Sequence, residues 1–172
     1  MLVSYNNEGM SISSMARISG ISKANVVNKI RELGRKIAIP NIKEDQKKYE
    51  MDEMAVVLES KQNKKYVIYA INKTSGRVVD FAIGNRTKEN IGMITNKVLL
   101  LNPKSVLTDR LNIYPGLIPD TIHKVIHHGI NHIERNNLTL RTHLKRLSRK
   151  TICFSRSREM LECSLKLYLW AN

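Results

Sequence analysis

The sequence predicts an α/β fold with a mixed sheet in the element order β-β-β-α-β-α, preceded by a small helix-turn-helix. Three observations carry that expectation. Residues 10–34 have a helical period interrupted by one glycine. After residue 48 the apolar period shortens to that of strands. A capped helical stretch then separates the third strand from a short fourth apolar run.

In the first segment, Ser13 to Ile30 reads as two short helices with a tight turn. Gly20 supplies a positive φ for the turn, and Ser22 is a natural N-cap. Ala16 is small enough to let the second helix approach, and Ile12, Met15, Ile21, Val26 and Ile30 form a shared apolar face. This pattern suits a helix-turn-helix, whose second helix enters the major groove, and equally an ordinary helical hairpin. On the second helix Lys23, Asn25, Asn28 and Lys29 are the polar residues able to reach DNA. Residues 35–48 read as a charged linker, which divides the chain into a DNA-binding segment at 1–40 and a larger domain at 45–172.

Residues 49–59, 65–73 and 77–84 read as strands, the second pair joined by the hairpin signal Lys73-Thr74-Ser75-Gly76. Thr87 caps a helix over 88–101, closed by Asn102-Pro103. Residues 105–109 form a short buried strand, and 111–119 a loop carrying Pro115, Gly116 and Pro119. Helices are expected over 120–128, 131–150 and 158–170, the last with Leu161, Leu165, Tyr168 and Leu169 at helical spacing. Three antiparallel strands, a crossover helix and a parallel strand make the order of an RNase H-like fold.

The net charge is +14, from 29 Lys and Arg against 15 Asp and Glu, which points to a phosphate backbone as partner. A structural RNA-binding protein shares that property. The hydrophobic content of 42% is enough for a packed core and excludes wholesale disorder. Apolar runs such as Val98 to Leu101 are too short to span a bilayer, and Met1 to Asn6 has no secretory signal. Cys153 and Cys163 form no CxxC unit and no zinc site with the histidines. The expectation is therefore a cytoplasmic protein with reduced thiols, nucleoid-associated when bound to DNA, and without a membrane partner.

Against this basic background three acids stand out. Asp52 interrupts the apolar strand Met51 to Leu58, Asp109 ends the run Ser105 to Thr108, and Glu134 opens an otherwise basic helix. A bare charge inside an apolar strand is costly. Hard cations need carboxylate oxygens, and two such ions clamp the attacking and leaving oxygens of a phosphodiester. In an RNase H-like sheet the first and fourth strands are neighbours, so Asp52 and Asp109 would meet, with Glu134 arriving from a helix. Glu53 is expected on the opposite face of the strand, outside such a site.

The segment from Arg135 to Arg158 has eight basic residues and no acid. Ile133, Leu140, Leu144 and Leu147 form its apolar stripe, while Arg141, Lys145, Arg146 and Arg149 are placed to hold phosphate. His123/His127 and His128/His132 have the i, i+4 spacing that can bind zinc, but no Glu intervenes and no Cys is near.

Several short motifs resemble the insertion-sequence-one family of DDE transposases. They are Met51-Asp52-Glu53-Met54, Thr108-Asp109 with Tyr114 five residues on, and Ile133-Glu134-Arg135 with Asn137, Leu138, Leu140 and Arg141. The tail Leu144 to Thr151 followed by Phe154-Ser155-Arg156-Ser157 is the most specific. The resemblance implies an RNase H-like fold, the catalytic triad Asp52, Asp109 and Glu134, and Mg²⁺ (or Mn²⁺) as cofactor. It implies cutting at the ends of a mobile element, attack of a freed 3′-hydroxyl on target DNA, and a homo-oligomer on double-stranded DNA. Two positions depart from the family pattern, Ala55 for Trp and Arg110 for Gly, and the family's zinc ribbon has no counterpart in this sequence. The alternative expectation is a decayed transposase remnant that only binds DNA.

Overall fold

A computed structural model describes residues 1–42, 45–126, 131–149 and 152–171. The chain divides into two compact units. A helical unit comprises Met1–Ile39, Val56–Lys64 and Thr139–Asn172, and a sheet unit comprises Pro40–Ala55 and Lys65–Leu138.

In the helical unit α1 (Leu2–Asn7), α2 (Ile12–Ser19), α3 (Lys23–Lys36) and α6 (Arg158–Trp170) begin or end on local signals. Ser11, Ser22 and Ser157 each accept a hydrogen bond from the backbone N–H three residues on, at 3.1, 3.1 and 3.2 Å, so each hydroxyl satisfies one orphan donor. Gly20 ends α2 in the left-handed region, as the sequence predicts. Met15, Val26 and Ile30 pack with Met160, Cys163 and Leu167 in one apolar cluster, and Ile12 and Ile21 lie at its edge. Gly34 is required by the approach of α3 to α6: a Cβ there would lie 2.4 Å from Cys163 Cβ. Arg31 and Arg35 of α3 reach Glu159 of α6.

The sheet has five strands in the order β3-β2-β1-β4-β5. They are β1 (Lys48–Leu58), β2 (Ser60–Asn72), β3 (Val78–Gly84), β4 (Ser105–Thr108) and β5 (His123–Val125). Strands β2 and β3 are antiparallel, and their turn is held by Asn72 Oδ1, which accepts from Thr74 N and Ser75 N at 2.7 and 3.1 Å. Strand β1 pairs in parallel with β4, with Glu50 opposite Leu107, and β4 pairs in parallel with β5. Every residue of β4 is buried, as a strand flanked on both edges and covered on both faces must be. Helix α4 (Lys88–Leu99), capped by Thr87, packs Ile91, Ile94 and Val98 into a core with Tyr49, Met51, Ile68, Val106 and Tyr114.

The expected helix over 120–128 is not formed. Residues 123–125 are strand β5, and 127–128 lie outside the described residues. The open edge of β4 decides this: Val106 N donates to Ile122 O at 2.9 Å, and Ile126 N to Thr108 O at 3.0 Å. Edge pairing overrides the local helical spacing, so a strand replaces the helix that was to follow the fourth strand. Helix α5 (Asn131–His143) stops short of residue 150. Leu144 adopts extended backbone, and a short 3₁₀ turn, Lys145–Leu147, follows. Gly9 packs so closely on His143 O that a Cβ would lie 2.0 Å from it. Strand β2 also starts at Ser60 rather than 65, because Glu59, at φ +67°, turns the chain tightly out of β1.

Candidate metal centre

The parallel register of β1 and β4 builds the site. Extending the pair Glu50↔Leu107 by two residues sets Asp52 level with Asp109, just where β4 has ended at Thr108. The carboxylate oxygens of Asp52, Glu53 and Asp109 come within 4.8 Å of one another. Two oxygens on one octahedral magnesium-like ion stand about 3 Å (cis) or about 4.2 Å (trans) apart, given bonds of about 2.1 Å. Three hard oxygen donors at this spacing fit a divalent cation after a small closure.

Each carboxylate is oriented. Asp52 Oδ2 accepts from Asn137 Nδ2 at 2.6 Å and Oδ1 from Glu53 N at 2.7 Å. Asp109 Oδ1 accepts from Leu111 N at 2.9 Å. Glu53 accepts from the buried Tyr114 hydroxyl and, at 3.1 Å, from Arg86 Nε. Arg86 Nη2 lies 4.0 Å from Asp109 Oδ2, and its guanidinium stacks 5.2 Å from the Tyr66 ring centroid. Burial pushes the Asp52 carboxyl above its ordinary value, against the pull of its two hydrogen bonds, and the Asp109 charge adds to the rise. Burial likewise raises Glu53, and Tyr114 is held well above the usual phenol value by burial and by the Glu53 charge. Crowded, half-desolvated carboxylates of this kind favour a neutralising cation.

The beginning of α5 is anchored from the sheet. Glu50, fully buried, accepts from Ile133 N at 2.9 Å and lies 3.2 Å from Lys73 Nζ and 3.3 Å from His132 Nδ1. The Tyr69 hydroxyl donates to Ile133 O at 3.2 Å and to Asn137 Oδ1 at 2.9 Å.

The structure thus brings together two of the three acids singled out in the sequence, Asp52 and Asp109. Glu134 is exposed in the first turn of α5, three residues before Asn137, and is not part of the carboxylate cluster. Glu53, expected on the far face, belongs to the cluster. Strand alternation sets the direction of Cβ only, and the longer Glu side chain is drawn in by Arg86 and Tyr114. Tyr114 and Asn137 carried the resemblance without a stated role; Arg86 and Glu50 had no signal in the sequence.

On α3, Lys23, Asn25, Asn28 and Lys29 are exposed, and Lys29 pairs with Glu32 at 3.0 Å. Lys145 and Arg149 are exposed, Arg141 is half-buried, and Arg146 donates to Ser155 Oγ at 3.3 Å. His123 shares a 2.8 Å hydrogen bond with Thr108 Oγ1, while His127 and His128 lie outside the described residues. No helix among the described residues is long and apolar enough to cross a membrane.

Comparison with known proteins agrees with the motifs. The family model described as IS1 transposase matches residues 48–171. Over 113 residues the chain is 38% identical to the insertion element iso-IS1n protein InsB of Shigella dysenteriae, covering 66% of this chain and 86% of that protein. It is 32% identical over 123 residues to the insertion element IS1 protein InsB of Shigella sonnei, covering 70% and 92%. A chain of the simian T-cell lymphotropic virus intasome in complex with PP2A regulatory subunit B56 gamma aligns over 98% of this chain and 67% of its own, at 14% identity. Its TM-score of 0.49 is too low to argue from.

Proposed function

The chain belongs to the IS1 transposase family, and from that premise we propose that it is a DNA transposase. It cuts DNA at the ends of an insertion element and transfers the freed 3′ ends into target DNA. The observation that supports this best is the meeting of the Asp52 and Asp109 carboxylates from neighbouring parallel strands. In this reading residues 45–172 form an RNase H-like catalytic domain. Residues 1–40 form a helix-turn-helix that presents Lys23, Asn25, Asn28 and Lys29 to element-end DNA.

Asp52 and Asp109 would hold Mg²⁺ or Mn²⁺, with Glu134 as the third catalytic acid. A divalent ion bound there would acidify the attacking hydroxyl and shield the phosphate charge. The chain's own groups do the orienting. Asn137 and the Glu53 N–H fix the two oxygens of Asp52, and the Leu111 N–H fixes Asp109. Arg86 and Tyr114 restrain Glu53 beside the pair and offset its charge. Arg141, Lys145, Arg146 and Arg149 bind DNA phosphates. Two element ends must be held at once, so the working form is a homo-oligomer.

A second reading is a remnant that binds DNA without cutting it. The nearness of Arg86 to both Glu53 and Asp109 favours it, because a guanidinium can neutralise these carboxylates in place of a metal. One experiment separates the two. The protein is incubated with duplexes carrying the inverted repeats that flank its gene, with Mg²⁺, with Mn²⁺ and with chelator. Metal-dependent nicking at the repeat boundary, lost in Asp109→Ala with binding retained, supports the transposase. Binding without nicking supports the remnant, and undiminished cutting by Asp109→Ala removes the site assignment. Stronger binding of RNA than of equal-length DNA at matched salt would overturn both.

A further inference from the structure

The helical unit contains a cleft of about 420 Å³ that the reading above does not use. Arg31, Lys145, Arg146 and Arg156 line it, and no carboxylate does. The N-caps of α2 and α6, Ser11 and Ser157, open onto it, so both helices direct their first N–H groups there. Its remaining wall is apolar, with Met10, Val27, Phe154 and Met160 among the lining residues. Asn6 also lines the cleft. It is 1% exposed, and its Oδ1 meets no donor, although its Nδ2 donates to Ser164 O at 3.1 Å.

These features point to one class of ligand. A phosphate alone would use the basic edge and leave the apolar wall and the Asn6 acceptor unmatched. The volume falls in the range of roughly 300–1,000 Å³ typical of sites for small organic ligands. A nucleotide has both parts, an anionic phosphate and a flat base with amino donors. The basic run also continues beyond the cleft, through Arg141 and Arg149, with no acid between Arg135 and Arg158. A lone nucleotide has no use for that continuation, whereas a strand has more phosphates to place on it.

We propose that this cleft receives one unpaired nucleotide of a DNA strand. The phosphate lies on Lys145, Arg156 and the helix starts. The base lies on Phe154 and Met160, with the Asn6 Oδ1 accepting from an exocyclic amino group.

The reporter is Cys153, an exposed thiol on the cleft wall, whereas Cys163 is 3% exposed. A fluorescent maleimide therefore reads occupancy at one position, verified by peptide mass. The full chain is labelled at matched salt, without metal, in the presence of a single-stranded dA oligonucleotide, a blunt duplex of equal length, dAMP or inorganic phosphate. The oligonucleotide is expected to slow labelling by about fivefold or more, the lower end of what stacking one base contributes. dAMP does so only at much higher concentration, and the duplex and phosphate leave the rate unchanged. Lys145→Gln with Arg156→Gln, two exposed positions, removes the protection while the circular dichroism spectrum is retained. Equal protection by phosphate or by the blunt duplex overturns the nucleotide assignment. Protection by dAMP but not by the oligonucleotide overturns the strand assignment, and protection by none of the four overturns the site. Because nothing is cut in this assay, its failure is distinct from failure of the metal centre.

Discussion

Asn137 of α5 donates its carboxamide to Asp52 of β1 at 2.6 Å and accepts from the Tyr69 hydroxyl at 2.9 Å. One side chain thus couples the helix that carries Glu134 to the strand that carries Asp52. Asn137→Ala removes the partner that fixes Asp52. Loss of a group that orients a metal ligand typically costs about 10–100-fold in affinity or activity. Metal titration by calorimetry and nicking of the repeat duplex should both fall in that range, with duplex affinity unchanged. A variant that cuts at the wild-type rate would remove Asn137 from the site.

Tyr114→Phe leaves one oxygen of the buried Glu53 without its donor. The expected cost is about 1–3 kcal/mol, the penalty for stranding a buried acceptor. The urea midpoint reads this directly. In a Glu53→Leu background the same change should cost much less, because the two groups are partners and their effects do not add. Equal costs in both backgrounds would show that the bond contributes nothing.

Gly34→Ala sets a methyl 2.4 Å from Cys163 Cβ on the facing helix. Overpacking of this kind costs about 1–3 kcal/mol. Thermal unfolding should shift down, and Cys163→Gly in the same chain should restore part of the loss despite its own helix penalty. A Gly34→Ala protein of unchanged melting temperature would show that α3 and α6 separate freely.

Glu32 on α3 lies between Lys29 and Lys36, at 3.0 and 2.8 Å. Hydrogen bonds from Lys36 and then Lys29 hold its carboxyl down at about 2, against an ordinary 4.5. A depressed folded-state value means that the pair's contribution is present above pH 4.5 and is lost as pH falls through about 2. The group is exposed, so added salt should move its midpoint back toward 4.5. Carboxyl NMR titration at low and high salt tests this, and a midpoint near 4.5 at both would show that the lysines do not engage it.

The elements set by local chemistry were legible in the sequence. Ser22, Gly20 and Thr87 sit at helix boundaries where their capping and turn properties place them, and α6 matches its apolar spacing residue for residue. What was not legible depends on partners distant in the chain. Strand β5 exists because β4 offers an open edge, so the helical spacing of His123 and His127 misled. The failure at Glu53 has the same origin. Alternation along β1 says where its Cβ points, but Arg86 and Tyr114, 33 and 61 residues away, decide where its carboxylate lies. Asp52 and Asp109 were found because a charge at an apolar strand or strand end signals itself locally. Glu134 has only its place beside Asn137 on α5 to speak for it.

The pairing of β1 with β4 has a consequence for the order of events during synthesis. Asp52 leaves the ribosome more than fifty residues ahead of Asp109, and only the closed crossover through α4 aligns them. Contacts of such long range form late in folding. A nascent or prematurely terminated chain therefore exposes its basic helices to nucleic acid while lacking any assembled cutting centre. Anchoring on the genome would precede the capacity to damage it.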